Sequence, residues 1–143
     1  MKYLGIYYTG TGNTKRVCLK AKEELEKRGH SLDTVDVIDG DITNLEGYDG
    51  LFVFYPIYAF NCPKPVIQYV KKIQKVSKEI PCVIMKQSGE HLFWNNASSL
   101  YLTSLLKRNV SYVHLDLLRI NLSLMEEDLP WFCSFYLPYS LYV

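Results

Sequence analysis

"YYTGTGNTKR", residues 7–16, decides how the rest of the chain is read. An apolar run stops, two glycines and three threonines follow within six residues, and the chain then turns basic. Such a stretch cannot bury itself, because it presents hydroxyls and bare backbone instead of apolar surface. Glycine allows close approach and positive φ. A glycine-rich loop that opens a helix brings unpaired N–H groups and a partial positive charge to one point, which suits an anion.

The flanks support that placement. Lys2 to Tyr8 is nearly continuous in apolar residues, as in a strand covered on both faces. Thr14 to Arg28 carries Val17, Cys18, Ala21 and Leu25 at helical spacing, and Gly29 stops it. Ser31 to Val37 alternates as a second strand, and the polar "DGDITNLEGYDG" follows as turns. Leu51 to Tyr55, "LFVFY", is the third strand, ended by Pro56. A helix is expected from Lys64 to Val76, with Pro63 and Pro65 near its start and Val66, Ile67, Val70 and Ile73 on one face. "IPCVIMKQ", Ile80 to Gln87, is a fourth strand. Residues 96–108 form a helix with Leu100, Leu102, Leu105 and Leu106 toward the core, and Val110 to Leu118 is a fifth strand. Strands alternating with helices predict an α/β doubly wound domain on a parallel sheet, with right-handed crossovers.

With 143 residues, one domain spanning 1–143 is expected. Hydrophobic residues at 48% and charged residues at 22% describe a globular chain. A net charge of +1 gives no electrostatic case for nucleic acid or an acidic membrane surface. No secretory pattern and no stretch long enough for a membrane span is seen. Cys18, Cys62, Cys82 and Cys133 are scattered, with no C-x-x-C, so metal knuckles and in-chain iron–sulfur clusters lack support. Thiols of this kind fit a reducing, cytoplasmic setting.

The end of the chain departs from the pattern. A doubly wound domain would place another amphipathic helix after the fifth strand. Ser123 and Glu126 offer a capping box, but Pro130 would close that helix within about two turns. Residues 119–143 form an atypical tail rich in uncharged aromatics, including Trp131, Phe132, Phe135, Tyr136, Tyr139 and Tyr142. The tail either packs on the sheet, joins two copies as a homodimer, or marks an abnormal end.

Three phosphate loops compete for residues 9–16. The nucleotide triphosphatase loop needs G-x-x-x-x-G-K-[ST], and the spacing here is wrong. The dinucleotide fingerprint needs a glycine where Lys15 stands, although Asp36 could imitate its ribose-binding acid. The pattern [ST]-x-[ST]-G-x-[ST] is met by Thr9, Thr11, Gly12 and Thr14. Gly10 and Asn13 complete the loop. The plain alternative is a glycine-rich turn that binds nothing.

That third pattern is the flavodoxin phosphate loop, which holds the monophosphate of FMN. "YYTGTGNTKR" together with "FYPIYAFNCPKPV" resembles the flavodoxin-like domains often joined to a ferredoxin module, over roughly residues 2–115. The resemblance implies a five-stranded parallel sheet of order 2-1-3-4-5, with FMN where strands one and three diverge. It also implies two loops around a flavin ring. The loop after strand three supplies Pro56, Ile57, Tyr58, Ala59, Phe60 and Asn61, with Tyr58 and Phe60 as ring walls. The loop after strand four supplies Ser88, Gly89, Glu90, His91 and Trp94, with the backbone of Ser88 and Gly89 toward the pyrimidine edge. Each aromatic is otherwise ordinary packing, and His91 otherwise a solvent-facing loop histidine. The basic helix face of Lys64, Lys71, Lys72, Lys75 and Lys78 is read as solvated.

The chemistry implied is electron transfer by FMN, with no side chain assigned a catalytic role and no metal site. Flavodoxins stabilise the one-electron state through a peptide flip at a glycine after strand three. Residues 56–62 contain no glycine, and Asn61 is the residue there best suited to positive φ. Two-electron reduction of quinones or similar small acceptors therefore stands as an alternative, as does a flavin-free interaction module. With no cluster in the chain, the donor is expected to be external, a ferredoxin-like protein or a reductase.

Overall fold

The computed structural model describes residues 1–59, 61–78, 80–88, 97–107 and 110–119. Among these residues, five strands form a single sheet: β1 (Lys2–Tyr7), β2 (Ser31–Asp36), β3 (Gly50–Pro56), β4 (Ile80–Ser88) and β5 (Val110–Arg119). Three helices connect them: α1 (Asn13–Lys27), α2 (Lys64–Lys72) and α3 (Ala97–Leu106). The strand order is β2-β1-β3-β4-β5 and every pairing is parallel. The chain has a flavodoxin-like α/β fold, with the order that its loop motifs imply.

Alternation along the strands divides the core in two. Leu4 and Ile6 of β1, Leu51, Val53 and Tyr55 of β3, and Cys82 and Ile84 of β4 face α2 and α3. Tyr3 and Tyr7, Phe52 and Phe54, and Met85 face α1, which meets them with Val17, Cys18, Ala21 and Leu25. Burial on both faces explains why β1 and β3 read as unbroken apolar runs. Each fully buried aliphatic side chain contributes roughly 1.5–3 kcal/mol.

Two expectations are corrected. Helix α2 ends at Lys72, not near Val76, because Ile73 is extended (φ −60°, ψ 126°). The next residue, Gln74, donates its N–H to the Thr43 carbonyl at 2.8 Å. Ile73 and Val76 are still buried, but from chain beyond the helix, so apolar spacing alone overextended the helix. Pro56 closes β3 as expected, as the strand's last residue, in register with Gln87. Leu100 faces out, 69% exposed, because the inner line of α3 runs through Ser99, Leu102 and Leu106. The residue spacing 99, 102, 106 is that of one helix face.

Among the described residues, no helix is long and apolar enough to cross a membrane. None of the described His, Cys, Asp and Glu residues form a group that could hold a metal ion. Cys18, Cys62 and Cys82 are free and buried. Of the tail expected to be atypical, only Arg119 lies within the described residues; 120–143 fall outside them.

Candidate functional site at the carboxyl edge of the sheet

β1 lies between β2 and β3, and the chain order reverses around it. The loop 8–12 leaves β1 at this point and turns into α1. Gly12 makes the turn, with φ 89° and ψ −16°. A Cβ there would meet nothing within 4 Å, so glycine is required by backbone conformation and not by crowding. Thr9 braces the loop from inside, its hydroxyl oxygen accepting the Gly12 N–H at 2.9 Å. The Thr9 hydroxyl proton remains available to a further acceptor.

Helix α1 has no side-chain cap. Its first intrahelical bond runs from the Arg16 N–H to the Gly12 carbonyl at 3.1 Å. The N–H groups of Asn13, Thr14 and Lys15 therefore point out of the helix end without an intrahelical acceptor. They converge with the partial positive charge of the helix on the mouth of the loop. This donor set, together with the exposed Thr11, fits a phosphate monoester. Two donors expected for that role are engaged elsewhere. The Gly12 amide is held by Thr9, and the buried Thr14 hydroxyl donates to Gln87 Oε1 at 2.8 Å.

Gly10 serves differently from the expectation of positive φ, which falls on Gly12 alone in this loop. A Cβ on Gly10 would collide with Tyr58 Oη. The Tyr58 phenol thus lies against the bare Cα of Gly10 and bridges the loop after β3 to the loop after β1. Its ring meets Tyr8 edge-on, centroids 6.3 Å apart at 87°. Tyr58 is 45% exposed, an apolar ring face presented beside the phosphate-type loop.

The loop after β3 is a tight hairpin. Tyr58 and Asn61 exchange both backbone bonds, at 3.1 and 2.9 Å. Ala59, not Asn61, takes the positive φ, at 47°. Asn61 instead uses its side chain, donating Nδ2–H to the Ala59 carbonyl at 2.9 Å. Ile57 ties the start of the loop to β4 by donating its N–H to the Gln87 carbonyl at 2.9 Å. The backbone of Ser88 closes β4 beside these loops. Phe60, Gly89, Glu90, His91 and Trp94 lie outside the described residues.

Two residues of this region escaped sequence reasoning. Gln87 joins the loops after β1 and β3, and its side chain sits on the α1 face with Met85. Lys86 points the other way, 1% exposed, and its ammonium reaches Ser99 Oγ on α3 at 3.3 Å. Their signal was available: "KQ" is a polar pair at the end of an otherwise apolar strand.

Fold and loop together define a doubly wound α/β domain whose topological switch point carries a loop with donors suited to an anion. The sequence profile described as a flavodoxin domain matches residues 4–108, and the chain belongs to that family. No curated protein is similar enough in sequence to match. Solved structures share the fold at low identity. The Streptococcus pneumonia TIGR4 flavodoxin is 13% identical with a TM-score of 0.71, over 94% of this chain and 96% of that one. A flavodoxin from the domain Archaea is 12% identical with a TM-score of 0.64, over 94% and 99%. An FMN-dependent NADH-azoreductase from Bacillus anthracis str. Ames Ancestor, in complex with FMN, is 9% identical with a TM-score of 0.61, over 92% and 95%.

Proposed function

We infer that the chain binds FMN at the carboxyl edge of its sheet and carries electrons between external redox partners. The observation behind this reading is the uncapped N-terminus of α1, with three outward N–H groups beside the αL turn at Gly12. The phosphate would lie on the N–H groups of Asn13, Thr14 and Lys15 and the hydroxyls of Thr9 and Thr11. Tyr58 would flank the ring, and Ile57 with Pro56 would supply its apolar floor. When bound, FMN supplies the redox chemistry; the protein sets its orientation, water access and hydrogen bonds. Ser88, Gly89, Glu90, His91, Trp94 and Phe60 complete the proposed contacts from the loops after β4 and β3. The external donor is proposed to be a ferredoxin-like protein or a reductase.

A second reading, an FMN-dependent reductase of quinones or similar small acceptors, is favoured by the loop after β3. Its base is closed by the two backbone bonds exchanged between Tyr58 and Asn61, and the Ala59 carbonyl is tethered by Asn61 Nδ2. Such a loop resists the peptide rotation that one-electron carriers use.

Titrating the purified protein with FMN tests the shared part: flavin fluorescence should quench with a micromolar or tighter Kd. Absence of quenching at tens of micromolar FMN rejects both versions and leaves a flavin-free interaction module. Anaerobic titration with dithionite then separates them. Long-wavelength absorbance at half reduction favours the carrier; direct passage from oxidised to fully reduced favours the reductase.

A further inference from the structure

Thr14 and Gln87 are 73 residues apart, yet their side chains meet at 2.8 Å, at the junction of α1 and β4. Thr14 is 3% exposed, so this contact is largely shielded from water. The arrangement carries a constraint. A hydroxyl has one proton, and the Thr14 proton is given to Gln87 Oε1. In that state Thr14 cannot donate to an anion on the α1 N-terminus.

Gln87 differs from a carboxylate in holding both an acceptor and two donors on one terminal group. Rotating the amide by half a turn puts Nε2 where Oε1 stood. Nε2–H then donates to Thr14 Oγ1, and the hydroxyl proton is released toward the helix end. The rest of Gln87 need not move. Its backbone carbonyl is held by the Ile57 N–H at 2.9 Å, and its Cα is in register with Pro56. The same residue therefore braces the loop after β3 through its backbone and the phosphate-type loop through its side chain.

We propose that Gln87 is the positioning residue for the anion-binding hydroxyl of Thr14: its amide rotates when a phosphate monoester arrives, and the donor chain then runs from Gln87 Nε2–H to Thr14 Oγ1–H to the phosphate oxygen. The proposal rests on the FMN reading of the site. It makes the phosphate end, and not the flavin ring, depend on a side chain from β4. The chain of donors is polarised by the anion, and each bond strengthens the next.

The test compares FMN with riboflavin, which lacks only the phosphate, by fluorescence quenching. The ratio of their affinities is measured in wild type, Gln87→Glu, Gln87→Met, Thr14→Val, Thr14→Ser and the Gln87→Met/Thr14→Val pair. Gln87→Glu keeps the acceptor and loses both donors; Gln87→Met loses all three polar functions at similar length. Thr14→Val, which removes the charge-assisted bond, and Gln87→Glu, which keeps the Thr14 proton on its carboxylate, should each lower FMN affinity about 10- to 100-fold, whereas Gln87→Met, which removes only the neutral bond that orients the hydroxyl, should lower it about 3- to 10-fold. Riboflavin affinity should stay within about twofold. Thr14→Ser should keep the wild-type ratio, and the pair should lose no more than Thr14→Val alone. A brace without a role at the phosphate would lower both affinities together, and that result overturns the proposal. So does a wild-type ratio in Gln87→Met, which also serves if Gln87→Glu does not fold. A wild type that binds FMN while the variants keep its ratio refutes this inference alone; a wild type that binds no FMN refutes it together with the FMN reading.

Discussion

The two glycines of the loop after β1 should respond to alanine unequally, and for different reasons. At Gly12 the added methyl finds open space, but the backbone sits at φ 89°. The penalty is conformational: holding alanine in a left-handed turn costs roughly 1–2 kcal/mol. Alanine also narrows the unfolded ensemble, which returns about 0.4–1 kcal/mol. A net loss of about 1 kcal/mol follows, or roughly 3–4 °C in Tm for a chain of this size. At Gly10 there is no positive φ to maintain. The methyl collides instead with Tyr58 Oη, the far end of a flexible and 45% exposed side chain. Tyr58 can swing outward, losing its edge contact with Tyr8, worth about 0.5–1.5 kcal/mol, against a similar entropic return. Gly10→Ala should therefore melt within about 2 °C of wild type. Circular dichroism melts of the flavin-free protein decide the matter, with Gly12→Asn as control, since asparagine tolerates the left-handed region and should recover at least half the loss. The reasoning is refuted if Gly10→Ala costs as much as Gly12→Ala, or if Gly12→Asn melts no higher than Gly12→Ala.

Three other outcomes are expected. Ala59 holds φ 47°, so Ala59→Gly should leave stability unchanged or raise it by up to about 1 kcal/mol, whereas Ala59→Val should lower it by roughly 1–2 kcal/mol; urea midpoints in the opposite order would show that the hairpin does not impose this conformation. Asp33 is held below its ordinary carboxyl range by the Lys2 ammonium, Glu24 by that of Lys27, and Glu46 by the Ser77 amide. A depressed folded pKa stabilises above the unfolded value, and that stability is lost as pH falls through the folded one. The urea midpoint should thus be level above about pH 5 and decline below about pH 4, modestly because the Lys2–Asp33 pair is solvent-exposed; a midpoint unchanged down to pH 3 would contradict it. Burial pushes the Cys18 and Cys62 thiols up to about 12 and raises Cys82 as well. In a Cys133→Ser background, a thiol-specific reagent at pH 8 should label the folded protein at least tenfold more slowly than the urea-unfolded chain, and rapid labelling would place one of these thiols at the surface.

The alternation of strands and helices, the parallel sheet and the glycine-threonine loop between β1 and α1 were legible in the sequence because they depend on local periodicity and on glycine, threonine and proline at turns. Val17, Cys18, Ala21 and Leu25 could be assigned to one buried face from spacing alone, and they pack together as expected. Spacing failed where distant chain competes with the helix. Nothing in residues 64–76 records that Gln74 would find the Thr43 carbonyl and leave α2 at Lys72. Nor does Leu100 differ in kind from Leu102, although only one lies on the inner face. The site shows the same division. Residues 9–14 could be read as a glycine-threonine loop opening a helix, but not that the Thr9 oxygen would take the Gly12 amide, that Tyr58 would rest on Gly10, or that Ala59 and not Asn61 would adopt the left-handed turn. The contact between Thr14 and Gln87 was beyond any local reading, because parallel strand order is what carries the end of β4 to the start of α1. Composition and short-range pattern decide which segments turn, coil or extend; which polar atoms share a proton is decided only when the sheet brings distant segments within 3 Å.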